Sequence, residues 1–220
     1  MELDLVLAAV AVAVALWLRP WRVVGPAGPP WVWLGWCAVM PVLWGTDRYV
    51  ASTVVQPLSG AVLLMMMAGW PLAVLAMVPV ALATWAMAGL EGAEALHRLV
   101  WLGDMPATIA LGLGAAVRRW LPHQLFVYIL GRGFVATALS CVLSGALSMA
   151  LHGATPGLDP DEQMIGRWLA AWGDAFLVGM VVAIFVAFRP EWLATYSDRL
   201  YLRPPESGGP PDRDDGPGAE

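Results

Sequence analysis

Residues 168–188 read WLAAWGDAFLVGMVVAIFVAF, an apolar run interrupted by one ionisable side chain, Asp174. A helix needs about 20 such residues to cross a hydrocarbon core of about 30 Å, and stretches approaching that length recur along nearly the whole chain. With 59% of its 220 residues hydrophobic and only 13% charged, the chain is far from the balance of a soluble globular domain. The expected fold class is all-α: a polytopic membrane helix bundle of about seven transmembrane helices. It is expected to form one membrane domain over residues 1–190, a cytoplasmic interfacial segment over 191–203 and a disordered tail over 204–220. The tail, PPESGGPPDRDDGPGAE, is too rich in Pro, Gly and Asp to build a packed core.

The seven expected spans are residues 3–18, 31–44, 54–69, 71–90, 99–117, 124–151 and 168–188. Orientation follows from arginine, because cytoplasmic loops near helix ends collect positive charge. An external N-terminus puts Arg19, Arg22, Arg118, Arg119, Arg189, Arg199 and Arg203 inside and Arg48, Arg98 and Arg167 outside. N-out and C-in is therefore expected. Lys and Asn are absent while Ala, Gly, Pro and Trp abound, as a GC-rich bacterial genome would encode, so the expected location is a bacterial inner (plasma) membrane. The opening MELDLVLAAV carries acid where a signal peptide carries base, which predicts a retained first helix. Cys37 and Cys141 lie in apolar segments without a Cys-x-x-Cys pair, and read as buried thiols.

Within this apolar frame the ionisable residues stand out, since an intramembrane charge is costly and is a functional candidate by default. The segment LDPDEQ predicts a helix start, with Asp159 as cap and Pro160 in the first position. Counted along their helices at 1.5 Å per residue, Asp174 and Asp104 fall about 9 Å and about 7 Å below the outer face. Gln56, beside Pro57, opens the third span at the same side. Arg132, flanked by Gly131 and Gly133, lies deeper from the cytoplasmic end, where the glycines leave room for a guanidinium. Small residues at Ala171, Ala175, Gly179, Ala183 and Ala187 form a seam, matched by Ala136, Ser140, Ser144 and Ser148. Gln56, Asp104, Arg132 and Asp174 are the substrate or transport candidates.

The histidines show no metal-binding spacing: His97 and His152 fall at outer helix ends and His123 at an inner one, which suits solvated loop imidazoles. Met65, Met66 and Met67 point in three directions around a helix, as packing residues do. No P-loop, nucleophile elbow or dinucleotide fingerprint occurs, so neither a cofactor nor enzymatic activity is expected. Whether a metal is bound is left open at this stage.

Two stretches, HQLFVYILGRGFVATALS from His123 to Ser140 and DAFLVGMVVAIFVAFRPEWLATYSDRLYL from Asp174 to Leu202, resemble the second half of energy-coupling-factor ABC transporter permeases related to the cobalt and nickel uptake permeases. The resemblance implies a substrate-capture subunit that works with a transmembrane coupling protein and cytoplasmic ATPases. Membrane lipid would be the other partner, and no nucleic acid. In metal-transporting members an N-terminal Met-His pair and further histidines hold the ion. Here position 2 is Glu2 and no His precedes His97, a departure that favours harder cations or a non-metal substrate. The family's C-terminal motif carries an acid at the Asp174 position. After Arg189, the residues Trp192, Tyr196 and Leu200 fall four apart, predicting an apolar stripe on a short interfacial helix. Arg189, Trp192 and Tyr196 are accordingly the partner-docking candidates. The alternative expectation is a non-transporting anchor or sensor on the same scaffold.

Overall fold

The computed structural model describes residues 1–22, 31–50, 56–122, 124–154 and 159–196. The expected tail over 204–220, the residues Leu200 and His123, and the start of the expected third span lie outside them. Among the described residues nine α-helices follow in order: α1 (Glu2–Trp17), α2 (Trp31–Trp44), α3 (Thr46–Tyr49), α4 (Ala61–Ala68), α5 (Trp70–Ala88), α6 (Gly92–Arg98), α7 (Met105–Trp120), α8 (Ala136–His152) and α9 (Pro160–Phe188). No strand occurs among the described residues. A wide π-helical stretch, Leu99–Asp104, joins α6 to α7 without a break, and a second, Val127–Val135, leads into α8.

Four continuous helices are long and apolar enough to cross a membrane: Trp70–Ala88, Gly92–Trp120, Val127–His152 and Pro160–Phe188. Among the described residues the chain is thus all-helical, with four membrane-length elements. The others are shorter. α4, with 8 residues, covers about 12 Å and cannot cross a hydrocarbon core by itself. It is bounded by glycine at both ends: Gly60 has φ 64° and Gly69 has φ 81°, left-handed values that end the helix on either side. Pro71 then starts α5 at a position where its missing N–H costs nothing.

Short as it is, α4 is the hub of the bundle. It packs against α2, α5, α7 and α9, and every side chain from Ala61 to Met67 is buried. The three consecutive methionines thus pack in three directions, as their helical spacing requires. The α9 start matches its sequence signal, Asp159 accepting the Asp161 amide at 2.9 Å with Pro160 first in the helix. The small-residue seam of α9 packs closely on the Val127–His152 helix, where the Gly179 Cα lies 3.6 Å from where a Gly133 Cβ would stand. Ser144 donates to the Trp101 carbonyl at 2.8 Å and Ser148 contacts His97 at 3.3 Å, so the serine seam of α8 faces the Gly92–Trp120 helix. Gly179 of α9 instead receives Phe134, whose ring carbon lies 3.3 Å from where a Cβ would stand.

Candidate metal centre

Asp4, His97 and His152 come from three separate helices and meet at one end of the bundle. Asp4 lies in the first turn of α1, His97 in the last turn of α6 and His152 at the end of α8. Asp4 Oδ1 is 3.1 Å from His152 Nε2, Asp4 Oδ2 is 3.6 Å from His97 Nδ1, and one donor atom from each residue lies within 4.8 Å of the other two. A tetrahedral ion with bonds of about 2.0–2.1 Å holds its ligand atoms roughly 3.3 Å apart, so small side-chain adjustments would close the triad on a cation.

The remaining polar atoms orient these donors. His152 Nδ1 lies 3.2 Å from the Ser148 carbonyl, a pure acceptor, so hydrogen bonding there puts the proton on Nδ1 and leaves the Nε2 lone pair facing Asp4. His97 Nε2 faces the Ser148 hydroxyl at 3.3 Å, leaving Nδ1 on the Asp4 side. One serine thus steers both imidazoles, the kind of outer contact that fixes ligand orientation in metal sites. Trp101 Nε1 donates to Asp4 Oδ1 at 2.9 Å, and its ring lies 5.5 Å from His152 edge-on. The Met1 amino group is 3.7 Å from Asp4 Oδ2. Asp4 is 4% exposed while the His97 and His152 side chains are 34% and 26% exposed, so the carboxylate forms the floor and the imidazoles the rim. Two nitrogens and one oxygen favour a borderline divalent ion such as zinc, nickel or cobalt over magnesium or calcium.

This corrects the expectation of solvated histidines. His97 and His152 are 55 residues apart in sequence, so no local spacing could pair them. Their shared position at outer helix ends, together with an acid inside the first apolar helix, was the available signal.

Among the described residues no hydrogen bond or ion pair joins Gln56, Asp104 and Asp174 to one another. Asp174 is an anchor for the turn that opens α4: its carboxylate accepts the Ser59 amide at 2.8 and 3.0 Å, the Gly60 amide at 3.1 Å and the Cys141 thiol at 3.8 Å. Carbonyls of the same turn are served by indoles from α2, Trp44 on Ser59 at 2.7 Å and Trp36 on Gly60 at 2.9 Å. The Ser59 hydroxyl donates to the Leu102 carbonyl at 2.5 Å. Asp104, 4% exposed, has both carboxylate oxygens without a hydrogen-bond partner, as does Gln56 Oε1. Arg132 sits over Gly114, and its Nη1 donates to the Thr195 carbonyl at 3.3 Å.

The docking candidates also need correction. No interfacial helix forms after α9 within the described residues; Pro190–Trp192 is a single tight turn. Trp192 folds back on Phe185, ring centroids 5.3 Å apart, beneath the Arg189 guanidinium at 5.9 Å. Tyr196 packs edge-on against Tyr128 at 5.0 Å. The proline at position 190 and the burial of Leu193 turn the chain inward, so the Trp192 and Tyr196 rings both pack on the bundle.

Sequence reasoning counted Arg98 only as an external charge. It is 6% exposed and clamps the end of the bundle that carries the triad. It donates to the Trp44 carbonyl, to both oxygens of Asp47 at 2.8 and 2.6 Å, and to Glu94 at 2.5 Å, while Arg48 reaches Glu94 at 2.7 Å. This ties the end of α2 and all of α3 to α6, one residue from His97.

Compared with protein-family models, with curated proteins and with solved structures, the chain matches none.

Proposed function

We propose that this protein captures a divalent transition-metal ion at the outer end of a membrane helix bundle, as the permease or substrate-binding subunit of an energy-coupling-factor type transporter. The observation that carries the reading is the Asp4, His97 and His152 triad with Ser148 orienting both imidazoles. A buried acid at the floor and half-exposed imidazoles at the rim suit a site that must first strip water from an arriving ion and then let it leave. Three protein donors leave a fourth position for water or for exchange. Five further features fit a transport subunit in a bacterial inner membrane: the N-out arginine distribution, four membrane-length helices with shorter helices beside them, two π-helical stretches, a broken helix at the hub, and the lack of any nucleotide-binding motif. Energy would come from a coupling protein and ATPase partners.

The test is metal titration of the detergent-solubilised chain by calorimetry with zinc, nickel, cobalt and magnesium. One ion per chain is expected for the first three, with magnesium far weaker. His97→Ala and His152→Ala should each weaken binding by about 100-fold, the scale of losing a direct ligand. Undiminished affinity in the Asp4→Ala, His97→Ala, His152→Ala triple variant would refute the site. Co-purification with an ATPase and coupling protein tests the transporter assignment separately.

A further inference from the structure

The chain does not leave the bundle where α9 ends. Arg189 breaks the helix, and the turn Pro190–Trp192 is closed by the Trp192 amide on the Arg189 carbonyl at 3.1 Å and the Leu193 amide on the Pro190 carbonyl at 3.1 Å. Residues 193–196 then run back under α4. Leu193 is 2% exposed and belongs to the same apolar cluster as the α4 side chains.

α4 ends inside the protein, so its last carbonyls need donors from elsewhere. The returning segment supplies them. The Ala194 amide donates to the Met67 carbonyl at 3.2 Å, and the Thr195 amide and hydroxyl donate to the Met66 carbonyl at 3.2 and 3.3 Å. Two side chains from the Val127–Val135 stretch hold it there. The Tyr128 hydroxyl meets the Thr195 hydroxyl at 2.8 Å, and Arg132, lying over Gly114 of α7, grips the Thr195 carbonyl at 3.3 Å. Both ends of the hub helix are therefore bound by one stretch of chain: Asp174 of α9 takes its first amides, and the continuation of α9 takes its last carbonyls.

We propose that residues 193–196 form a releasable strap that shuts the cytoplasmic end of the bundle, with Arg132 and Tyr128 as its latch. The strap's bonds to α4 and Arg132, 3.2–3.3 Å long, lie at the long end of the N–H···O range, and Leu193 is its one deeply buried side chain. Such a contact is made and broken more readily than a packed helix. Its removal would uncover the Met66 and Met67 carbonyls, the negative end of α4, where an emerging cation is favoured. This proposal rests on the metal-transport reading for what passes the strap, while the latch itself is metal-independent. It makes Arg132 a positioning residue that acts through residues 193–196, well removed from the metal triad.

Hydrogen exchange read by mass spectrometry, on full-length protein in lipid vesicles, tests it. In the unaltered chain the amides of Ala194 and Thr195 should exchange at least about tenfold more slowly than unprotected amides. Arg132→Gln and, independently, Thr195→Val should release that protection while α8 and α9 peptides stay protected, which controls for folding. In vesicles enclosing a fluorescent zinc indicator, the same variants should admit external zinc about tenfold faster. The strap is refuted if Ala194 and Thr195 exchange freely in the unaltered protein, or if neither variant changes their exchange. It is reduced to a structural cap, and the gating role refuted, if exchange rises and zinc entry does not. Failure of zinc to bind the detergent-solubilised chain would count against the metal reading alone, because the exchange measurements contain no metal.

Discussion

Three buried aspartates with the same side chain have three different surroundings, and these decide what each can do. Asp4 faces two imidazoles and an indole N–H; Asp174 faces backbone amides; Asp104 has no hydrogen-bond partner. Replacing Asp174 by Ala leaves the Ser59 and Gly60 amides buried without acceptors. It should cost about 1–3 kcal/mol per stranded donor, read as a lowered unfolding temperature in detergent, with zinc affinity unchanged. Ser148→Ala should do the reverse. It removes the hydroxyl facing His97 Nε2 but keeps the carbonyl facing His152, so zinc binding should weaken by about tenfold with stability nearly unaltered.

At the scale of elements, the turn before α4 and the clamp around α3 carry the constraints. Gly60 sits at φ 64°, and a Cβ there would lie 3.0 Å from the Trp36 ring. Gly60→Ala should destabilise by about 1–2 kcal/mol from backbone strain, measurable by thermal unfolding, with further loss where the indole cannot yield. The clamp is sensitive to acid. Burial opposes the charge on Asp47, but hydrogen bonds and the positive charge of Arg98 outweigh it and hold the carboxyl below its ordinary 3.8. A depressed folded-state value adds stability above 3.8 that is lost as pH falls through the lower folded value. The unfolding temperature should therefore drop on acidification in that range, and Arg98→Met should flatten this part of the profile while lowering stability throughout.

For the whole molecule, the two ends have distinct roles. The Asp4, His97 and His152 triad and the Arg98 clamp share the end where the Gly92–Trp120 helix starts and α8 finishes, whereas the strap occupies the end where α9 finishes. The proposed N-out orientation puts the triad outside and the strap in the cytoplasm. A phosphatase reporter, active only outside the cytoplasm, should be inactive when fused after residue 203 and active when inserted near Gly92. The opposite result would reverse the direction in which the site faces.

Local periodicity made the helical class, the presence of helices apolar enough to cross a membrane, the α9 cap at Asp159 and the packing of the methionine triplet legible, because each depends on neighbours within a turn or two. Asp174 stood out as the misplaced charge, and its position beside a small-residue seam correctly implied that it faces protein. Its partners could not be read, since Ser59 and Gly60 lie 115 and 114 residues away and belong to a turn whose exposed amides arise only when α4 breaks. The triad was equally hidden: Asp4, His97 and His152 have no common spacing, and only the packing of α1, α6 and α8 brings their donor atoms together. Sequence alone thus determined that the chain forms helices long and apolar enough to cross a membrane and which ionisable groups lie within them. Tertiary structure decided which of those groups meet, because hydrogen bonds and metal ligation act over about 3 Å and depend on how separate helices are placed.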